Sequence, residues 1–255
     1  MTDTYDSRLS VQGTGRAVVL VSGLDGTGLL FYRQVPLLAR SYRVATFALR
    51  DRAETMDRLV ADLGQVIDTV SPADRRAILV GESFGGALAM SFALARPEQV
   101  DALVVLNSFP HFTPQVRLHL AMLGLRALPW GAMTLVRRLT SFRLHSRHTQ
   151  RHEIETFMRL TASASREGYL TRLKLLTRYD LREQLRELRP PTLFLAAEDD
   201  HLVPSVAQAR YMAERVPRSA VRVLAGHGHI CLIAPDIDLA QILDEWSSDG
   251  RDPHA

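Results

Sequence analysis

The strongest constraint on the fold is a series of short apolar segments separated by helix-sized gaps. The segments are rich in β-branched residues and span 17–21, 43–47, 77–80, 102–106, 192–196 and 220–224. Segments that are apolar on both faces are typical of parallel strands buried inside a sheet. The gaps carry helical patterns such as residues 56–67, whose apolar side chains recur on one face. The alternation predicts an α/β fold with a mostly parallel, doubly wound sheet.

One long segment interrupts this alternation. Residues 110–189 show no strand pattern, and helix-like patterns broken by prolines and glycines fill them. An insertion of this kind between two strands predicts a helical cap above the carboxyl ends of the strands, where open α/β sheets bind ligands. We therefore expect residues 1–109 and 190–255 to form the core and residues 110–189 to form the cap.

Composition excludes several classes of protein. Of the 255 residues, 46% are apolar and 23% are charged, values that argue against disorder and fibrous repeats. A single cysteine, Cys231, excludes an internal disulfide and a cysteine-based metal cluster. The apolar runs are shorter than the roughly 20 residues of a membrane span, and the polar N-terminus lacks a signal-peptide pattern, so a cytoplasmic protein is expected.

No cofactor, metal or nucleic-acid partner is predicted from the sequence. The histidines near one another in the second half of the cap, His145, His148 and His152, have no neighbouring set of carboxylates or cysteines that would complete a metal site. We expect the partner to be a small molecule instead.

The motif with the clearest chemical meaning is Gly81-Glu-Ser-Phe-Gly85, a G-x-S-x-G sequence. A buried strand pattern runs into it and a helix pattern, residues 87–95, leaves it, which is the context of a nucleophile elbow. The crowding of a sharp turn between strand and helix requires small residues on either side of the nucleophile. Ser83 is therefore the predicted nucleophile, and the alternative is a plain glycine-rich turn.

A serine nucleophile requires a base and a carboxylate that orients the base. His229 follows the last strand pattern and precedes a helix expected to open near 235–236, with His227 as its rival. Asp200 follows the strand at 192–196 and precedes a helix expected to start at residue 204, with Asp199 as the second choice. Serine, aspartate and histidine occur in that chain order in α/β-hydrolase triads.

A glycine-rich loop after the first strand pattern, residues 22–28, suits an oxyanion hole. The backbone N–H groups of Leu24 and Phe84 are the predicted donors. The spacing of the loop glycines does not fit a G-x-G-x-x-G phosphate loop, and no Gly-Lys-Ser/Thr follows. We expect five residues around this loop and the cap to line the substrate pocket: Gly23, Asp25, Phe109, Phe112 and Val203.

These motifs together resemble the α/β-hydrolase fold superfamily, and the resemblance covers roughly residues 17–247. More narrowly, residues 23–28, 50–52 and 80–86 resemble the hydrolase part of phytyl ester synthase-like proteins, which are similar to lipases and move acyl chains to phytol or diacylglycerol. The chain lacks the His-x4-Asp motif of the acyltransferase module in those proteins. The resemblance therefore implies a serine hydrolase more than an acyltransferase.

Three functions follow from this reading. The first is hydrolysis of an acyl ester or thioester, on a lipid-like or apolar acyl substrate, through an acyl-enzyme on Ser83. The second is acyl transfer to an alcohol with the same residues, and the third is ligand binding without catalysis. A serine at the elbow argues against a dehalogenase or an epoxide hydrolase, which would have aspartate there.

The cap also has an unusual charge pattern. Residues 102–152 contain no Asp or Glu but seven arginines, together with many large apolar residues that include Trp130, Met133 and Leu135. Apolar helices with arginines can lie at a membrane interface or favour an anionic substrate. Peripheral contact of the cap with anionic lipid is therefore a prediction, and a cap packed on the core with solvated arginines is the alternative.

Overall fold

A computed structural model describes residues 9–127 and 144–247 of the chain. Its centre is a seven-stranded sheet. The strands are β1 (Leu9–Gln12), β2 (Ala17–Val21), β3 (Arg43–Phe47), β4 (Ala77–Glu82), β5 (Val100–Leu106), β6 (Thr192–Ala197) and β7 (Ser219–Leu224).

The sheet has the order β1-β3-β2-β4-β5-β6-β7, and every neighbouring pair except β1–β3 is parallel. The predicted mostly parallel sheet is confirmed. The edge strand β1, which pairs antiparallel with β3, was not predicted from the sequence. Most of β1 is exposed, so it lacks the apolar pattern of a buried strand and depends on hydrogen bonds to β3.

The described residues also form eight α-helices. They are α1 (Gln34–Leu38), α2 (Met56–Val70), α3 (Phe84–Ala95), α4 (Gln115–Ala127), α5 (Arg151–Thr161), α6 (Arg166–Leu176), α7 (Ser205–Ala213) and α8 (Leu239–Trp246).

Both faces of the sheet are buried. Alternate residues of β2 separate into two clusters, with Val19 and Val21 packed on the side of α2 and α3 and Val18 and Leu20 on the side of α1 and α8. This arrangement explains why the strands read as continuous apolar runs, since each face needs a helix layer.

One predicted helix start is wrong. The last helix begins at Leu239, where the Asp238 side chain accepts hydrogen bonds from the N–H groups of residues 240 and 241, and not at residues 235–236. Asp236 instead lies in a turn before the helix. The Pro-Asp pair suggested a helix start, but the Asp238 cap satisfies the free backbone donors better.

The segment between β5 and β6 contributes α4, α5 and α6. A nearly buried Glu153 at the start of α5 forms an ion pair with Arg33 of the core, at 2.8 Å. The treatment of residues 110–189 as a separate cap stays a prediction, and Trp130, Met133 and Leu135 lie outside the described residues. Within the described ranges, no helix is both long and apolar enough to cross a bilayer.

Candidate active site

Ser83 occupies a strained turn between β4 and α3. Its φ and ψ are 56° and −118°, a combination that L-residues rarely adopt. The Ser83 N–H donates to the carbonyl of Leu106 at the end of β5, and the Ser108 hydroxyl donates to the Ser83 carbonyl at 2.7 Å. The neighbouring strand therefore holds both sides of the strained residue.

The glycines around Ser83 are required by close packing. A Cβ on Gly85 would lie 2.0 Å from the carbonyl oxygen of Val21, and a Cβ on Gly81 would lie 2.4 Å from that of Gly85. Contacts this short with backbone atoms cannot be relieved by a side-chain movement. The spacing of small residues in the motif thus follows from the approach of α3 to β2 and β4.

Three side chains meet above this turn. His229 Nε2 lies 3.1 Å from Ser83 Oγ, and His229 Nδ1 lies 2.7 Å from Asp200 Oδ2. The His229 side chain is nearly buried, and the Asp200 side chain is fully buried. A hydroxyl, an imidazole and a carboxylate are therefore connected in series within hydrogen-bonding distance.

The Asp200 carboxylate is held from several directions. Its Oδ1 accepts hydrogen bonds from the N–H groups of Leu202 and Val203, at 2.9 and 3.0 Å. Its Oδ2 accepts a hydrogen bond from the Ser205 hydroxyl as well as facing His229. The start of α7 therefore orients the carboxylate, and Ser205 was not predicted from the sequence to take part.

The charges around His229 and Asp200 shift the pKa values of both residues. Burial disfavours the charged form of His229, but the charge and hydrogen bond of Asp200, with a contribution from Glu82, outweigh it and raise the His229 pKa above 6.5. Burial also works to raise the Asp200 pKa, yet His229, Ser205 and the Val203 N–H hold that pKa below its usual value. The carboxylate is therefore ionised, and its charge favours the protonated form of His229.

Glu82, next to the serine, is an unusual residue. Its carboxyl group is buried, and Oε1 has no hydrogen-bond partner among the described residues. Burial raises the Glu82 pKa to about 7, with His229 opposing this and Asp25 and Asp200 adding to it. Its protonation therefore changes near neutral pH.

The second choices of the sequence analysis lie elsewhere. His227 Nε2 faces Asp236 at 3.4 Å, and burial lowers the His227 pKa although Asp236 works against that. Asp199 faces Arg147 at 2.9 Å. The structure therefore brings His229 and Asp200 to Ser83, and it assigns His227 and Asp199 to other contacts.

The loop after β2 approaches the nucleophile. A Cβ built on Gly23 would lie 3.5 Å from Ser83 Cβ, an ordinary van der Waals distance, so the backbone of this loop passes beside the serine. Phe84 is the first residue of α3, where backbone N–H groups have no partner within the helix. Within the described residues, neither the Leu24 nor the Phe84 N–H donates to another protein atom. Both amides are available as donors, and their role in an oxyanion hole stays a prediction.

A buried arginine from α6 supports this loop. Arg172 Nε donates to the Leu24 carbonyl at 2.9 Å, and its two terminal nitrogens donate to the carbonyls of Asp25 and Arg50. Gly26 leaves room for it, since a Cβ there would lie 2.5 Å from the guanidinium carbon. Burial lowers the Arg172 pKa, while Asp25 and Asp51 oppose that shift. Arg172 was not predicted as a site residue, because nothing nearby in the sequence links it to residue 24.

The predicted pocket residues divide into two groups. Phe109, Phe112 and Val203 line one narrow crevice, in which the two phenyl rings meet edge to face at 5.0 Å. Asp25 lines a separate cavity of about 340 Å³ and accepts hydrogen bonds from Thr27. Gly23 lies beside the serine instead. Their common role in binding substrate stays a prediction.

Asn107, at the end of β5, joins the strands that carry the site. Its Nδ2 donates to the His229 carbonyl at 2.8 Å, and its Oδ1 accepts from the Ala197 N–H at 2.8 Å. Its φ of 48° is in the left-handed region, which asparagine tolerates better than most residues. The one feature of the sequence that could have indicated this role is the position of Asn107 at the carboxyl end of a buried strand.

The fold agrees with comparisons to known proteins. Residues 16–234 match the family model described as the alpha/beta hydrolase fold. The chain belongs to the alpha/beta hydrolase fold family, and the prediction of an enzyme of this class is confirmed.

Relatives with curated names extend this result. A protein of Caulobacter sp. (strain K31), provisionally named carbamate hydrolase RutD, is 28% identical over 246 residues, which cover 92% of this chain and 91% of the relative. A protein of Yersinia enterocolitica with the same provisional name is 29% identical over 234 residues, 84% of this chain and 81% of the relative. These relatives give no support to the narrower resemblance to phytyl ester synthase-like proteins.

Solved structures share the fold. A thermophilic esterase from Thermogutta terrifontis superposes with a TM-score of 0.81 at 23% identity, covering 94% of this chain and 92% of that one. The enol-lactonase from Burkholderia xenovorans LB400 has a TM-score of 0.79 at 19% identity, covering 94% of each chain. At these identities the likeness concerns the fold alone.

Proposed function

We propose that the protein is a serine hydrolase that cleaves acyl esters or thioesters, on an apolar acyl substrate, through a covalent intermediate on Ser83. The single observation that carries this proposal is the buried series Ser83–His229–Asp200, with separations of 3.1 and 2.7 Å. This series has the reach and the order that nucleophilic catalysis by serine needs.

In the proposed first half-reaction, Ser83 Oγ attacks the carbonyl carbon while His229 Nε2 takes its proton. The carbonyl oxygen becomes an oxyanion, which the N–H groups of Leu24 and Phe84 stabilise. When the tetrahedral intermediate collapses, the bond to the leaving group breaks and His229 returns the proton to the departing alcohol or thiol. The acyl group stays on Ser83.

In the second half-reaction, His229 takes a proton from water as the water oxygen attacks the acyl-enzyme. Collapse breaks the bond to Ser83 Oγ, which recovers the proton from His229 and releases a carboxylic acid. Asp200 stays ionised throughout and stabilises the imidazolium. An alcohol in place of water would give acyl transfer, so the products in water with and without an added fatty alcohol distinguish hydrolysis from transfer.

Hydrolysis of a carbamate is a second candidate, favoured by the name of relatives that match over more than nine-tenths of this chain. The same residues would attack the carbamate carbonyl and form a carbamoyl group on Ser83. The balance of kcat/KM between p-nitrophenyl butyrate and p-nitrophenyl carbamate separates the two substrate classes.

The proposal is tested by labelling with a fluorophosphonate probe and mapping the adduct by mass spectrometry. We expect the adduct on Ser83 and loss of both labelling and p-nitrophenyl ester turnover in Ser83→Ala. Ser91→Ala is a matched control, because the Ser91 hydroxyl donates within α3 to the Ala87 carbonyl. Turnover that persists in Ser83→Ala, or label on another residue, would refute the proposal.

Contact of the cap with anionic lipid stays a prediction that α4 supports. Val116, Leu120 and Leu123 are 58–63% exposed at helical spacing, and Arg117 and Arg126 are exposed on the same helix. We expect co-sedimentation with phosphatidylserine-containing vesicles that weakens with salt and in Leu120→Glu, but not with phosphatidylcholine vesicles. Absent or salt-insensitive co-sedimentation contradicts the prediction.

A further inference from the structure

Two histidines and a carboxylate cluster outside the Ser83–His229–Asp200 series. His148 Nδ1 lies 3.3 Å and His227 Nε2 lies 3.4 Å from the same oxygen, Asp236 Oδ2. All three ligand atoms lie within 4.8 Å of one another. The sequence separates these residues by up to 88 positions, so only the fold assembles the set that the sequence analysis found lacking.

The distances suit a metal site as well as an ion pair. A charge-assisted hydrogen bond between imidazole and carboxylate is about 2.7–2.9 Å long, shorter than both contacts. Ligands at about 2.0–2.1 Å from a tetrahedral zinc ion lie about 3.3 Å apart, which is close to both values. The nitrogens of His148 and His227 lie within 4.8 Å of each other, and because the two rings stack, the half-exposed His148 ring has to turn before both nitrogens face one ion.

The surrounding backbone positions these ligands. The two imidazole rings stack at 5.0 Å with an interplanar angle of 22°. Gly226 has a φ of 70°, and a Cβ there would lie 3.1 Å from His148 Nε2, so glycine leaves room for the ring. The Asp199 N–H donates to the His227 carbonyl at 2.8 Å. His227 is nearly buried, whereas His148 and Asp236 are about half-exposed, so an ion can enter from solvent.

The cluster also connects two parts of the chain. His148 belongs to the segment before α5, and His227 and Asp236 flank the loop that carries His229. The two segments already pair, since the Ile230 N–H donates to the Leu144 carbonyl at 2.7 Å and the Arg147 N–H to the Gly226 carbonyl. A bound ion would tie the cap region to the loop of the proposed base.

We propose that His148, His227 and Asp236 bind one divalent transition-metal ion, of which Zn²⁺ is the best match, and that this ion fastens the cap region to the His229 loop. Three nitrogen and oxygen ligands leave one tetrahedral position for water. This set of ligands is a poor match for Mg²⁺ and Ca²⁺, because both ions prefer oxygen ligands. The proposal is independent of the reaction at Ser83.

The other nearby histidines do not join the cluster. His145 packs edge to face against Phe157 at 4.8 Å, and His152 is exposed at the start of α5. His152 therefore supplies a matched control, since it is close in sequence to His148 but makes none of the described contacts with Asp236.

The test is titration of chelator-treated full-length protein with ZnCl₂ by calorimetry, and with CoCl₂ by visible absorption. We expect one ion per chain, tetrahedral cobalt bands and a higher Tm with zinc but not with MgCl₂. Affinity should fall by about tenfold or more in His148→Ala and in Asp236→Asn, and stay within twofold in His152→Ala.

Two results would overturn the proposal. One is the absence of zinc binding at 100-fold molar excess of ions over protein, at an added concentration of roughly 1 mM. The other is binding that His148→Ala and Asp236→Asn leave unchanged while circular dichroism shows both variants folded. Loss of binding in Ser83→Ala or His229→Ala alone would place the ion at the catalytic series instead, which equally contradicts it.

Discussion

Ser83 combines a strained backbone with a buried hydrogen-bond series, and the proposed reaction depends on the pKa of His229. Asp200 raises the pKa of His229 above its usual 6.5 against the effect of burial. A histidine acts as a base only when neutral. Activity should therefore rise with pH through a value above 6.5.

Asp200→Asn tests this tuning. Loss of the carboxylate should lower kcat by roughly 10³–10⁴-fold, because the imidazole loses its orientation and its counter-charge. The acid limb of the kcat/KM profile for a p-nitrophenyl ester should also move to lower pH. Asp199→Asn is the matched control, since Asp199 faces Arg147, and an equal loss in that variant contradicts the assignment.

Glu82 should make stability depend on pH. Its pKa is about 7 in the folded protein and 4.5 in the unfolded chain, so the folded state binds more protons between these values. The contribution is fully present below pH 4.5 and is lost as pH rises through 7, a change of roughly 3 kcal/mol at most. Glu82→Gln should remove this loss.

The measurement is urea unfolding at pH 5 and pH 8. Between pH 5 and pH 8 the unfolding free energy of Glu82→Gln should fall less than that of the unchanged protein. The acid limb of the kcat/KM profile of this variant should also move to lower pH, because the His229 pKa falls when the Glu82 charge is removed. Glu183→Gln is an exposed control. The same pH-dependent gain in the control would show that burial of Glu82 is not the cause.

At the scale of elements, α6 reaches the loop after β2 through one side chain. Arg172→Met removes the donors to the carbonyls of Leu24 and Asp25 while keeping much of the side-chain volume. Unpaired buried carbonyls should cost on the order of 3 kcal/mol in unfolding free energy. A displaced Leu24 N–H should lower kcat by about tenfold or more with a smaller change in KM.

Steady-state kinetics and thermal unfolding of Arg172→Met check this prediction. The exposed Arg178→Met on the same part of the chain controls for loss of charge. A stability loss without any change in kcat would mean that Arg172 supports the packing of α6 but does not position the loop.

At the scale of the whole molecule, the site depends on strands that end together at one edge of the sheet. Asn107 connects the end of β5 to the end of β6 and to the loop that carries His229. Asn107→Ala leaves the Ala197 N–H and the His229 carbonyl unpaired. Each buried group left without a partner costs about 1–3 kcal/mol.

We expect Asn107→Ala to lower the unfolding free energy by about 2–4 kcal/mol and to reduce kcat, because His229 loses an anchor. Chemical denaturation and ester turnover measure both effects. Gln184→Ala, an exposed amide, should change neither by more than about 0.5 kcal/mol or twofold. Full activity in Asn107→Ala would contradict a role in holding the histidine loop.

Local sequence was sufficient for much of the fold. The buried strands and the elbow were predictable because they depend on apolar runs and glycine spacing within a few residues, as at residues 77–86. The edge strand β1 and the start of α8 at Leu239 were not, because pairing with β3 and capping by Asp238 decided them.

The sequence by itself determined the strand–helix alternation, the elbow around Ser83 and the chain order of the serine, the acid and the histidine. Only the tertiary structure placed His229 rather than His227 beside Ser83, brought Arg172 to Leu24 and joined His148 to Asp236. The physical reason is range. Backbone sterics and apolar periodicity act over a few residues, whereas a hydrogen bond between distant residues exists only after the strands and loops have packed.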